Sequence, residues 1–152
     1  MQIKDCVAVL TGAGSGIGRA LAVALARRGC HLALVDLNPD SLAETATQAR
    51  ALGARVSEHP TDVSDRSAVA ALPSAVVAEH GSVDLLINNA GVALGGTFDQ
   101  VSEENFDWLM SINFDAVVTL CRAFLPLLRQ RPEARIVNIS SLFGLITPAG
   151  QT

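Results

Sequence analysis

Ala8-Val-Leu-Thr-Gly12-Ala-Gly14-Ser-Gly16-Ile-Gly18-Arg-Ala20 runs from an apolar stretch through a glycine cluster into residues that recur at helical spacing. A bound diphosphate asks for that order of residue types. Gly12, Gly16 and Gly18 let the chain turn sharply, bare backbone N–H groups and seat a helix close to a strand. The positive end of the helix dipole then favours the anion. The cradle is assigned to Gly12, Gly14, Ser15, Gly16, Ile17 and Gly18. Asp36 supplies the other half of the chemistry. It follows Leu32-Ala33-Leu34-Val35, eighteen residues past Gly18, where a carboxylate can accept hydrogen bonds from both hydroxyls of an adenosine ribose. The same charge repels a phosphate on that ribose, and at about 4 Å with an effective dielectric near 20 the repulsion is several kcal/mol. Ser15 and Leu37 carry no positive charge to offset it. The expected cofactor is therefore NAD(H) rather than NADP(H), with Leu37 beside the adenosine. A competing use of Asp36 is to start the next helix, although Asn38 and Pro39 already make a cap and a first helical position.

These residues need a strand before the glycines and a helix after them. Val7 to Leu10 is apolar without alternation, as in a parallel strand covered on both faces. Ile17, Leu21, Ala24 and Leu25 repeat at helical spacing up to Gly29. The alternation continues, with strands expected near 6–11, 31–36, 54–59, 83–88 and 135–140 and helices near 16–28, 39–52, 64–80 and 102–130. Without a linker, repeat or low-complexity stretch, this implies a single dinucleotide-binding α/β domain over 1–152, a doubly wound parallel (Rossmann) sheet. The third strand, Ala54-Arg-Val-Ser-Glu-His59, is the most polar and suits an edge in the order 3-2-1-4-5. Pro73 and Pro126 fall inside helical patterns and predict a kink or a break at each. Ligands of such a sheet sit beyond the carboxyl ends of the strands where the order reverses, here between the first and fourth. Asp62-Val63, Asn88-Asn-Ala-Gly91 and Ser140-Ser141 each follow a strand, and all three can line one crevice. Asn113, between Ile112 and Phe114, is expected to be a buried amide in need of several partners. A plain reading bonds it to a helix carbonyl at a kink.

Composition narrows the classes further. A chain of 152 residues, 49% apolar and 17% charged, can build one core. A net charge of −4 without a Lys/Arg cluster argues against a nucleic-acid surface. The apolar pattern of the first helix is broken by Arg27-Arg28 and the amino terminus leads straight into a strand, so neither a membrane span nor a signal peptide is expected. A cytoplasmic location follows by default. Cys6, Cys30 and Cys121 are odd in number and form no Cys-x-x-Cys pair, which reads as three reduced, packed thiols. His31, His59 and His80 lack metal-ligand spacing, so no metal site is expected. No Gly-Lys-Ser/Thr follows the glycines, which excludes an NTPase phosphate loop.

Thr11-Gly-Ala-Gly-Ser-Gly-Ile-Gly18, Asp62-Val63, Asn88-Asn-Ala-Gly91, Ser111-Ile-Asn113 and Ile136-Val-Asn-Ile-Ser-Ser141 together resemble the classical short-chain dehydrogenases/reductases. The resemblance covers nearly the whole chain. It implies that Asp62 and Val63 meet the adenine ring, whereas the residues alone also read Asp62 as a turn before a Ser64 cap. It implies that Asn88 supports the sheet, that Asn89 contacts the cofactor, and that Ala90 and Gly91 leave room beside the ribose. Asn113 would hold a water of a proton relay, and Ser141 would hydrogen-bond a substrate carbonyl or hydroxyl with Ser140 in support. Asn113 and Ser141 are thus the catalytic candidates. The family's proton donor is the tyrosine of a Tyr-x-x-x-Lys motif, which the resemblance places just past Thr152, and this chain has no tyrosine. The chain is accordingly expected to be the amino-terminal part of a longer protein, truncated after the fifth strand and incomplete at its carboxyl end.

Hydride transfer between nicotinamide and a carbonyl leaves an alkoxide that needs a positioned acid, while the cofactor carries the redox step. The expected function is an NAD-dependent oxidoreductase acting on a small alcohol or ketone, with these 152 residues alone inactive or weakly active. One alternative is a non-catalytic NAD-binding module, which the missing tyrosine favours. Another is an S-adenosylmethionine methyltransferase, which leaves Gly-Ile-Gly, Asn-Asn-Ala-Gly and the serine pair unexplained. Leu142-Phe-Gly-Leu-Ile-Thr-Pro148 and Gly95-Gly-Thr-Phe98 are expected to wall an apolar substrate pocket. The resemblance also implies a homodimer or homotetramer of the complete protein. Without further strands, Ile136 to Ile139 becomes an uncovered apolar edge, and the helix of Val117, Leu120, Phe124 and Leu128 loses a partner, which invites self-association.

Overall fold

Val7 to Leu10 can be apolar throughout because each side chain has a layer to enter. In the computed structural model, which describes residues 2–144 and 146, Ala8 and Leu10 pack in one core and Val9 in another on the opposite face of the sheet. The chain runs β1 (Val7–Thr11), α1 (Gly16–Arg27), β2 (His31–Asp36), α2 (Pro39–Arg50), β3 (Val56–Pro60), α3 (Arg66–His80), β4 (Leu85–Asn88), α4 (Glu103–Met110), a π-helical stretch (Ser111–Asp115), α5 (Ala116–Leu128), β5 (Arg135–Asn138) and a 3₁₀ turn (Leu142–Gly144). The strands are parallel in the order β3-β2-β1-β4-β5, as the sequence implies. Leu25 and Ala26 of α1 join Leu42, Ala46 and Ala49 of α2 over one face. Val69, Leu72 and Val76 of α3 join Leu120, Phe124 and Leu128 of α5 over the other.

Several expected boundaries shift for local reasons. The third strand starts at Val56 rather than 54, because the Ala54 N–H is drawn back to the Ala49 carbonyl at the end of α2 (3.3 Å). The fifth ends at Asn138 rather than 140, where its partner β4 ends. Pro73 and Pro126 do not break their helices. A proline inside a helix costs about 3 kcal/mol, and three buried apolar side chains on each helix, worth about 1.5 to 3 kcal/mol apiece, outweigh that. The single helix expected over 102–130 is instead two α-helices joined by the π stretch that carries Asn113. By length and composition the run Glu103–Leu128 could cross a membrane, yet Leu120, Phe124 and Leu128 are buried in the protein's own core. They have therefore not lost a partner, contrary to expectation. Apolar side chains stay uncovered on other parts of this helical run, at Phe106, Trp108 and Phe114, and along the strand, where Ile136, Val137 and Ile139 are 39–42% exposed.

At the amino end of the sheet, buried Asp84 accepts from the Val7 N–H (2.9 Å) and from Arg131 Nε (2.6 Å), while its own carbonyl accepts from the Arg135 N–H (3.0 Å). One residue thus ties the starts of β1, β4 and β5. Nearby, burial pushes the Cys30 thiol up to about 12, and all three cysteines are free.

Two histidines meet at Ser57 of the polar edge strand β3, His59 from the strand itself and His80 from the end of α3. Ser57 Oγ lies 2.7 Å from His59 Nε2 and 2.8 Å from His80 Nε2. Burial, then the neighbouring charge of Arg55 and the other two histidines, lowers His80 from 6.5 to about 4, with Glu79 opposing. The fold therefore prefers neutral His80. The unfolded chain takes up a proton below its ordinary value of 6.5 and the native chain does not until about 4, so this contribution is intact above 6.5 and is lost as the pH falls between them. The urea midpoint is expected to drop on acidification across that window, and His80→Gln should remove part of the slope. A His80→Gln profile parallel to that of the unsubstituted chain would refute the assignment.

Candidate functional site

The sheet positions the site by where its strands stop. β1 and β4 are neighbours whose connections leave in opposite directions, and the gap beyond their carboxyl ends becomes a groove of about 370 Å³. Of the thirteen residues proposed to bind a cofactor, twelve line it and Gly14 does not. Thr61, Val92 and Ile112 line it as well.

The first turn of α1 differs from those of α2, α3 and α4. Asn38 caps α2 by accepting from the N–H groups of Asp40 and Ser41, Asp65 caps α3, and Ser102 caps α4. Asp65, not the expected Ser64, is the α3 cap, because Asp62 Oδ1 accepts both the Ser64 N–H (2.9 Å) and its hydroxyl (2.7 Å). Ser15 precedes α1 in an extended conformation and its side chain makes no capping bond. The α1 first-turn N–H groups thus remain available to an anion, and the helix dipole adds to their pull.

Close packing holds this turn in place. A Cβ built on Gly18 would lie 1.9 Å from the Gly12 carbonyl oxygen, whereas one on Gly16 would meet nothing within 4 Å. The first position seats the helix on the loop and the second leaves the face of the cradle open. Gly14 is buried behind the groove, and its N–H donates to Asp36 Oδ2 (2.7 Å). It is not among the residues lining the groove, and its N–H turns toward the carboxylate and helps set its orientation. Asp36 Oδ1 accepts from the Asn38 N–H (3.0 Å), so the carboxylate helps the entry to α2 and lines the groove at once. Ile17 and Leu37, 64% and 69% exposed, give the same groove apolar rims.

Thr11 is the floor residue that sequence reading left without a role. Its buried Oγ1 accepts from the N–H groups of Asn89 and Ala90, each at 3.0 Å. Asn89 Nδ2 returns two bonds, to the carbonyls of Thr11 (3.0 Å) and Gly12 (3.2 Å). Asn88 is buried and its Nδ2 donates to Asn138 Oδ1 (2.8 Å), a sheet-supporting bond between β4 and β5.

The two catalytic candidates are not among the lining residues, although Asn113 bonds to one of them. Asn113 is exposed rather than buried, and it bonds no helix carbonyl: Oδ1 accepts from the Val92 N–H and Nδ2 donates to the Val92 carbonyl, both at 2.9 Å. The π stretch projects the side chain to the loop after β4, which explains why a regular helix was the wrong frame. Gly91 lies against it, since a Cβ there would be 3.3 Å from Asn113 Oδ1. Ser141 is exposed, accepts from the Phe143 N–H (3.2 Å), and is not among the residues lining the groove. Ser140 is likewise not among the residues lining the groove, and both serines follow the end of β5 at Asn138. Phe98 and Leu142 are exposed and not part of the groove lining, while Leu145, Thr147 and Pro148 lie outside the described residues.

Arg19 is a second residue the sequence did not single out. It follows the glycine turn and donates back to the Gly14 carbonyl. Its partners on α2 come from a helix packed beside α1, which linear spacing does not reveal.

The family model described as short chain dehydrogenase matches residues 6–152. SadH of Mycobacterium tuberculosis, provisionally named an oxidoreductase, is 47% identical over 146 residues, covering 96% of this chain and 53% of SadH. The chain thus spans about half the length of that curated relative. A short-chain dehydrogenase/reductase from Burkholderia phymatum, solved in complex with NAD, superposes with a TM-score of 0.95 at 41% identity, over 99% of this chain and 54% of the other. A metagenomic short-chain oxidoreductase in complex with NADP gives 0.92 at 35% identity, over 99% and 69%.

Proposed function

The chain belongs to the short-chain dehydrogenase family, and from that premise we propose that it is the NAD(H)-binding part of an oxidoreductase acting on a small alcohol or ketone. The family match sets aside the methyltransferase alternative. One observation carries the choice of cofactor: the Asp36 carboxylate, fixed by the Gly14 N–H at 2.7 Å, lines the groove, and none of the residues lining that groove is a lysine or arginine. The residues present fit a dinucleotide. Uncapped N–H groups face the diphosphate position, Gly16 leaves it open, and apolar rims flank it.

Bound nicotinamide would supply the hydride donor or acceptor. The first turn of α1 would hold the diphosphate, Asp36 would accept from the adenosine ribose hydroxyls, and Asp62 with Val63 would border the adenine. Asp62 Oδ2 has no hydrogen bond among the described residues and is the atom to accept from its amino group. Asn113 would position the loop through Val92 and serve a proton relay, which its place in a π stretch supports because such stretches release main-chain groups from the regular ladder. Ser141 would donate to the substrate oxygen. The chain contains no tyrosine, and these residues alone are expected to turn over ketones poorly. A cytoplasmic homodimer or homotetramer of the complete protein belongs to the same proposal.

Asp36→Ser tests the cofactor reading. Loss of a charged acceptor removes about 1.5 to 3 kcal/mol, so NADH should bind about tenfold or more weakly in a fluorescence titration. NADPH should bind more tightly than before. An unchanged ratio of the two affinities would defeat the assignment.

A further inference from the structure

Gly14 is gripped through both of its backbone polar groups. Its N–H donates to Asp36 Oδ2 at 2.7 Å, and its carbonyl accepts from Arg19 through Nε at 3.0 Å and through Nη2. Arg19 is fixed in turn by α2, where Nε reaches Thr45 Oγ1 (3.0 Å) and Nη2 reaches Glu44 Oε2 (2.9 Å) and the Ser41 carbonyl (3.4 Å). Thr45 is wholly buried, and its hydroxyl also lies 3.4 Å from the Gly14 carbonyl and 3.2 Å from that of Ser41. Neither helix needs this knot to begin, since α1 starts from Ser15 and α2 is capped by Asn38. The Gly14 Cα has little room to shift, because a Cβ on it would sit 2.4 Å from Ser41 Oγ and 2.9 Å from Asp36 Cγ.

Resting on the reading of the groove as a nicotinamide-dinucleotide site, we propose that Arg19 is a positioning residue that sets the preference for NAD(H) through Asp36. By pinning the Gly14 carbonyl it fixes one of the two peptide planes that meet at the Gly14 Cα, and so steadies the other, whose N–H is held on the carboxylate. The oxygens are thereby presented to a ribose diol in one orientation. The same bonds hold the guanidinium on the Gly14 carbonyl and Glu44, and Arg19 is not among the residues lining the groove. Its charge is committed to protein acceptors rather than to a phosphorylated ribose.

A planar fork is required to reach the Gly14 carbonyl, Thr45 and Glu44 together, which a lysine ammonium cannot do although it keeps the charge. The test is a double-mutant cycle in the full protein, Arg19→Lys and Asp36→Ser alone and combined, with NADH and NADPH affinities read by nucleotide fluorescence and the melting temperature read beside them. Arg19→Lys alone is expected to weaken NADH about tenfold and to leave NADPH within about twofold. In the Asp36→Ser background the same change should alter NADH by less than about twofold, because its route of action is gone. Additive losses, equal weakening of both nucleotides, or native affinity in Arg19→Lys would each overturn the proposal. If the unsubstituted protein bound neither nucleotide, the cofactor reading itself would fall and this inference with it. Nucleotide binding with an additive cycle removes only the role of Arg19.

Discussion

Gly18→Ala is expected to weaken NADH binding by about a hundredfold or more, the largest loss for any single methyl added to this chain. The added carbon would stand 1.9 Å from the Gly12 carbonyl oxygen and 2.7 Å from its carbon, both backbone atoms that no rotamer change can move aside. It would also meet Asn89 Nδ2 at 2.8 Å, the atom that holds the carbonyls of Thr11 and Gly12. Relief requires α1 to lift from the loop, which misaligns the N–H groups meant for the diphosphate and breaks the tie to β4. Overpacking of this kind costs about 1 to 3 kcal/mol in folding, and lost alignment adds to it in binding. Gly95→Ala is the control, since a Cβ there meets nothing within 4 Å. Fluorescence titration and thermal melts of both variants decide the matter. Binding by Gly18→Ala within threefold of the unsubstituted chain, on the order of 0.6 kcal/mol, would show that the diphosphate is not held at this turn.

Arg131→Met should lower the free energy of unfolding by about 2 to 3 kcal/mol, measured as a fall in the urea midpoint. The substitution leaves Asp84 buried with the Val7 N–H as its remaining side-chain partner. Removing one member of a buried pair costs about 3 to 5 kcal/mol, and the partial exposure of Arg131 reduces that figure. Asp84→Asn in the same background should restore part of the loss, because a neutral amide oxygen still accepts from Val7 without an unpaired charge. Asp84 lies at the amino end of the sheet, away from the groove, so nucleotide affinity of the folded protein should stay constant. A double variant less stable than Arg131→Met alone would contradict the explanation.

The sheet order and the glycine turn into α1 were legible because both depend on local signals. Unbroken apolar runs mark covered strands, a polar run marks the edge, and Asp36 ends a strand whose bounds, His31–Asp36, match the expectation. What escaped depends on contacts between distant segments. Arg19 and Thr11 act through α2 and through the loop after β4, partners that no spacing rule names. Asn113 was read in the frame of a regular helix, and one π stretch moved its amide to Val92. Leu120, Phe124 and Leu128 were rightly seen as one apolar face but were expected to lack a partner, whereas Val69, Leu72 and Val76 of α3 pack with them. Periodicity tells that a face is buried, not what buries it.

The bare start of α1 has a consequence for the lifetime of the protein. A helix whose opening amides await an outside anion is completed by its ligand, and the empty molecule carries a soft spot where the glycines already stiffen the chain least. Whatever occupies that position adds its mass-action term to the native state alone. On the proposed reading of the groove, nucleotide supply and resistance to proteolysis would be coupled through a single turn of backbone.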